Sequence, residues 1–104
     1  MTCEMIKWGI VIMEANAAEA RKYALKTYEL REKNKSAADW CREMAAAHLA
    51  FNTNGAAMLK KLMEECRAAD KSERMEGMLE VWAERHAEIV KECAETKAML
   101  DCIK

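Results

Sequence analysis

Apolar residues return at alternating steps of four and three along almost the whole of this 104-residue chain. Such spacing keeps one stripe of a helix facing its neighbours and is the mark of packed helices rather than strands. Cys41, Ala45, His48, Asn52, Gly55, Leu59, Leu62, Cys66 and Ala69 form one unbroken seam. Met75, Leu79, Trp82, His86, Ile89, Cys93, Thr96, Leu100 and Ile103 form a second. A third, less orderly, runs through Ile6, Ile10, Met13, Ala17, Ala20 and Ala24, with Trp8, Val11, Ile12 and Leu25 beside it. Polar breaks at Lys33-Asn34-Lys35-Ser36 and Asp70-Lys71-Ser72-Glu73 divide the chain into helices over roughly 3–33, 36–69 and 72–103. Ser36 is the expected cap of the second helix, with Asp39 completing a weak capping box, and either Asp70 or Ser72 caps the third.

Each piece has about 30 residues and therefore about 45 Å of length. Matched helices joined by short connections fold as an up-down-up antiparallel three-helix bundle, a single all-α domain over residues 1–104. The chain contains no proline to interrupt them. Asn54-Gly55 is a turn signal that would split the second helix, but the seam stays in phase through Gly55. One helix, with a kink near Asn52–Gly55 as the variant, is the expectation.

Alanine inflates the 52% hydrophobic share, and aromatics reach only 6%, so the core should be thin and the helices close. A formal net charge of -1 lacks the electrostatic footprint of a nucleic-acid binder. No apolar run approaches the ~20 residues of a membrane span. The stretch Trp8–Met13 followed by Ala15-Asn16-Ala17 imitates a signal peptide, but Glu4 stands where positive charge belongs, so it reads as part of the mature fold. Five cysteines without close spacing suit buried thiols in a reducing cytoplasm.

Folding the chain at its two breaks assigns a level to each residue. His48 falls level with Cys93 and Arg21, and His86 with Gly55 and near Glu14. Asn16, His48, Asn52 and His86 then make a buried polar layer at mid-height, in which His86, Asn52 and Asn16 should lie within hydrogen-bonding reach and set helix register. Imidazole and thiolate at one level are also apt metal or haem ligands. There is, however, no Glu-x-x-His, His-x-x-x-His or Cys-x-x-Cys, so no metal or cofactor is expected. Gly55 is expected to make room for the Trp82 ring. Cys3 and Cys66 share one end and Cys41 and Cys102 the other, leaving Cys93 over.

Glu76, Glu80, Glu84, Glu88 and Glu92 repeat every fourth residue down the third helix and read as a solvated face. Met5 to Met13 is different, since apart from Lys7 and Gly9 it is apolar all round. A bundle helix needs about three apolar positions in seven. The surplus marks an interface, with Met5, Trp8, Ile12 and Met13 as its candidate residues.

Gly9-Ile10-Val11-Ile12 followed by Ala17-Ala18-Glu19-Ala20-Arg21 is similar to the first helix of the lactose/cellobiose-type IIA components of the sugar phosphotransferase system, a resemblance that extends to length and three matched helices. Val81-Trp82-Ala83-Glu84-Arg85-His86 is similar to the segment that bears that family's phosphorylated histidine. There Trp82 replaces the histidine that takes the phosphate, and His86 matches only a second one. Ala47-His48-Leu49 resembles histidine-phosphotransfer domains, with Phe51 and Asn52 in place of their Lys-Gly. These resemblances imply a phosphohistidine carrier using His48 or His86.

Without a reactive constellation, the leading expectation is a non-enzymatic cytoplasmic interaction module that binds a second copy of itself, or another protein, through its apolar first helix. Neither nucleic acid nor membrane is an expected partner. The phosphohistidine carrier, and a metal- or haem-binding bundle through His48 and Cys93, are the alternatives.

Overall fold

The computed structural model describes residues 2–103 and consists of three helices: α1 (Thr2–Leu30), α2 (Lys35–Ala69) and α3 (Glu73–Cys102). They pack as an elongated three-helix bundle of 56 × 19 × 16 Å, with no strand among the described residues. No helix is long and apolar enough to cross a membrane.

The ends of the helices follow from local hydrogen bonding. α1 stops at Leu30 rather than near Lys33, because the Leu30 carbonyl accepts from the Lys33 and Asn34 amides in the turn (3.1 and 2.9 Å). The cap of α2 is Asn34, whose Oδ1 accepts from Ala37 N at 3.1 Å. Ser36 already lies inside the helix, and Asp39 pairs with Lys35 instead of closing a capping box. At the second turn both candidate residues take part. Asp70 Oδ1 accepts from Ser72 N at 2.9 Å, and Ser72 Oγ then accepts from Met75 N at 3.2 Å to cap α3. These bonds to Ser72, side chain first, hold the Asp70 carboxyl below its ordinary range.

α2 runs through Asn54-Gly55 without a break, since no glycine or other described residue takes a positive φ there. The spare space above Gly55 belongs to Met13, whose Cε would stand 2.9 Å from an added Cβ. Met13, not Trp82, therefore uses the missing side chain, and Trp82 sits in the core beside Leu79 and Ile89.

The least orderly seam in the sequence is the most completely covered. Ile6, Ile10, Met13, Ala17, Ala20, Ala24 and Thr27 are all buried, placing α1 between its two neighbours. In α2 burial follows a seven-residue repeat, Ala38, Ala45, Asn52, Leu59 and Cys66, with Cys41 buried between the first two. The intervening His48, Gly55 and Leu62 are only half-buried. In α3 Met75, Leu79, Trp82, Ile89, Thr96 and Leu100 are buried, while His86 and Cys93, at mid-height, are half-buried. α2 and α3 thus face α1 more squarely than they face each other.

Candidate functional site

Two features depart from a closed bundle. The first is an open groove of about 320 Å³ between α2 and α3 at mid-height, lined by Leu49, Asn52, Ala56, His86, Ile89 and Cys93 among others. It exists because the half-buried seam positions of the two helices do not meet. The expected polar layer is split by it. Of Asn16, His48, Asn52 and His86, only Asn52 is buried; the other three are half-buried.

Asn52 Nδ2 donates to the backbone carbonyl of Met13 at 2.9 Å and lies 3.4 Å from Cys93 Sγ. Its Oδ1 is buried without a hydrogen-bond partner among the described residues, which costs about 1–3 kcal/mol. Asn16 does not reach Asn52. Its Oδ1 lies 2.6 Å from Nδ1 of His48, whose ring stacks on Tyr23 with centroids 5.8 Å apart and planes at 11°. Trp40 meets the Tyr23 ring edge-on, at 5.7 Å, continuing this row along the α1–α2 seam. His86 lines the groove without a side-chain hydrogen bond among the described residues. The expected triad of His86, Asn52 and Asn16 is therefore two separate pairs and a solitary histidine. Folding at the turns gives height but not azimuth, and Asn16 and His86 lie on opposite sides of Asn52's seam.

His48 and Cys93 are likewise committed to different partners, Asn16 and Asn52. Among the described residues no three His, Cys, Asp or Glu side chains gather as a metal site would need. Arg85 forms a two-pronged ion pair across the bundle with Glu14, which pushes its guanidinium pKa up, chiefly through the hydrogen bonds. Another link is absent from the sequence pattern. The Arg42 guanidinium donates to the carbonyls of Leu100 and Ile103, both at 2.8 Å, and so closes the exposed end of α3 from a neighbouring helix.

The second feature is an apolar face shared by α1 and α2. Met5, Ile12, Phe51 and Met58 surround a shallow groove of about 250 Å³ whose lining includes Gly9 and Gly55. Helical spacing sets Trp8 beside Met5 and Ile12, on the side of α1 turned away from α3. These five side chains are 48–60% exposed. Three of the four interface residues expected from the sequence are here. Met13 is not an exposed member, because it is buried at only 4% exposure, its methyl filling the space above Gly55. Phe51 and Met58 were missed, although their seven-residue spacing places them on one face of α2, in the same way as Met5 and Ile12 on α1.

No protein-family model matches the chain, and neither the curated proteins nor the solved structures yield a match.

Proposed function

We propose that this protein is a non-enzymatic interaction module that pairs with a second copy of itself through the α1–α2 face. The observation behind this reading is the gathering of four large apolar side chains from two helices around one apolar groove, half exposed, with the exposed Trp8 beside them on α1. At 150–250 Å² for an aromatic and somewhat less for the others, their exposed parts offer roughly 500 Å² of apolar surface. That is toward the upper end for the largest patch of a typical monomer, about 300–600 Å². Two such faces, with the rim around them, reach the roughly 1,200 Å² at which specific interfaces begin.

A second copy fits the face for two further reasons. A twofold axis needs a surface carrying both ridge and groove, and this one pairs the Phe51 and Met58 ridge with a groove whose lining includes Gly9, Met13 and Leu59. A net charge of -1 leaves little repulsion between copies. Docking would lay the α1–α2 layers of two bundles against each other, with the apolar side chains of one in the groove of the other.

Sedimentation velocity from about 1 to 100 μM tests the proposal, since this range brackets the micromolar affinity expected of a small apolar interface. A concentration-dependent dimer is expected, and Ile12→Glu with Phe51→Glu should return it to monomer without loss of helicity. A monomer across the whole range would overturn the reading.

A further inference from the structure

At the end of the bundle where α1 begins and α2 finishes, Cys3 Sγ and Cys66 Sγ lie 3.6 Å apart although the residues are 63 positions apart in the chain. That is van der Waals contact between two sulfurs. The five cysteines are all free thiols, and no other pair among the described residues comes within bonding reach. Cys66 is buried in the core cluster, and Cys3 is half-buried in the first turn of α1, packed against that cluster. Of the two, Cys3 is the more open to a small reagent.

We infer that Cys3 and Cys66 form a reversible dithiol–disulfide clasp that fastens the first turn of α1 to the last turns of α2. A disulfide needs its sulfurs at about 2.05 Å, so about 1.5 Å of approach separates the two states. Cys3, at the accessible end of a helix, can supply that approach by turning its side chain. The arrangement also assigns the order of attack. Burial, and then the neighbouring Cys3 sulfur, push the Cys66 thiol above its ordinary range and disfavour its thiolate. Cys3 therefore reacts first.

With oxidised glutathione as the oxidant, the Cys3 thiolate attacks one sulfur of the glutathione disulfide. The first glutathione leaves as a thiolate and takes up the proton lost by Cys3. Cys66, on losing its proton, attacks the Cys3 sulfur of the mixed disulfide. The second glutathione leaves and takes up that proton. Two protein thiols are oxidised to one disulfide and one glutathione disulfide is reduced to two thiols. Cys41, Cys93 and Cys102 have no partner sulfur among the described residues and form no internal disulfide; the exposed Cys102 goes no further than a mixed disulfide with glutathione.

The clasp encloses most of α1, the first turn and α2, so it removes much freedom from the unfolded chain. The test treats the reduced, full-length protein with oxidised glutathione, alkylates the remaining thiols under denaturing conditions and maps peptides by mass spectrometry. A Cys3–Cys66 cross-linked peptide should dominate, with Cys41 and Cys93 alkylated and Cys102 either alkylated or carrying glutathione. The oxidised protein should melt at least about 10 °C higher than the reduced, and the shift should vanish with dithiothreitol. Cys3→Ser, at the more exposed position, should keep the reduced melting temperature and abolish the shift. Glutathione left on Cys3 without release, a dominant cross-link elsewhere, or oxidation that lowers the melting temperature would each overturn the inference.

Discussion

Where α1 begins, the core is made of Ile6, Ile10, Leu59, Leu79 and Trp82, with Cys3, Leu62, Met63 and Met78 packed against it. Where α1 ends, it is Ala24, Ala45 and Leu100, and Thr27 and Thr96 are buried nearby. The large-residue end fixes its helices by volume, and its apolar supply exceeds what three helices can cover, so Met5, Trp8, Ile12, Phe51 and Met58 remain outside. The other end has small residues at its centre, with Tyr23, Leu49, Met99 and Ile103 packed around them, and adds directional bonds. Thr27 Oγ1 donates to the Tyr23 carbonyl at 2.8 Å, and Arg42 holds the last carbonyls of α3. Leu25, Tyr28 and Trp40 stay exposed at this end too, so what separates the two ends is the size of the side chains at their centres and the use of polar ties.

The most severe test of this contrast is a pair of opposite substitutions. Leu79→Ala, at a side chain only 1% exposed in the large-residue end, should cost about 3 kcal/mol in urea unfolding. Ala45→Leu, at a fully buried alanine in the other end, should cost about 1–3 kcal/mol by overpacking. If Ala45→Leu were neutral, the alanine end would be loosely filled and the contrast would fail.

Asn52 sits at the boundary between the two regimes. Its hydrogen bond to Met13 is worth about 1 kcal/mol, and its unpaired Oδ1 costs at least as much. Asn52→Leu should therefore leave the melting temperature unchanged or raise it, while admitting other oligomers by sedimentation. A loss of several kcal/mol would mean that the oxygen is satisfied in solution, making the α2–α3 groove the place to look for a bound molecule. Gly77 offers a smaller and simpler gain. Nothing lies within 4 Å of an added Cβ there, so Gly77→Ala inside α3 should add about 0.5–1 kcal/mol by denaturant titration.

The smallest effect is expected from alkali. Burial, and then Cys3, raise the folded-state pKa of Cys66 above its ordinary value of 9.0. The folded chain then holds this proton more firmly than the unfolded one. The contribution is whole below about pH 9 and is lost as pH rises through the folded value. In reducing buffer the wild type should lose more melting temperature between pH 8 and pH 10.5 than Cys66→Ala does. Equal losses would show that Cys66 titrates alike in both states.

The heptad pattern made helix number, order and most of the buried seam legible, because burial on a helix depends only on angular position. Asn52, Leu59, Trp82 and Ile89 could be placed in the core on that ground alone. The nearness of Cys3 to Cys66 was also legible, since the two stand at the same level where α1 begins and α2 ends. Azimuth across a gap was not. Whether Asn16 meets Asn52 or His48, and whether Met13 or Trp82 takes the space over Gly55, depends on how each helix is rotated and on side-chain reach. Arg42 escaped notice because its partners are backbone carbonyls, which carry no signature in sequence. Half of the apolar face was visible in Met5–Met13. Phe51 and Met58 were not, because Phe51 stands alone between Ala50 and Asn52 and Met58 stands beside Leu59, which already supplies the seam.

The 56 Å length against 19 and 16 Å across has a consequence for how the molecule rotates. A rod turns slowly end over end and quickly about its own axis. Helical N–H bonds lie nearly parallel to the helix axis, and here all three axes run along the rod. Almost every backbone amide should thus sense only the slow rotation, giving nearly uniform nitrogen-15 relaxation with a correlation time longer than the mass implies. Pairing side by side through α1 and α2 would thicken the rod and make rotation more isotropic. Stacking end to end would exaggerate the anisotropy, so rotational diffusion alone distinguishes the two geometries.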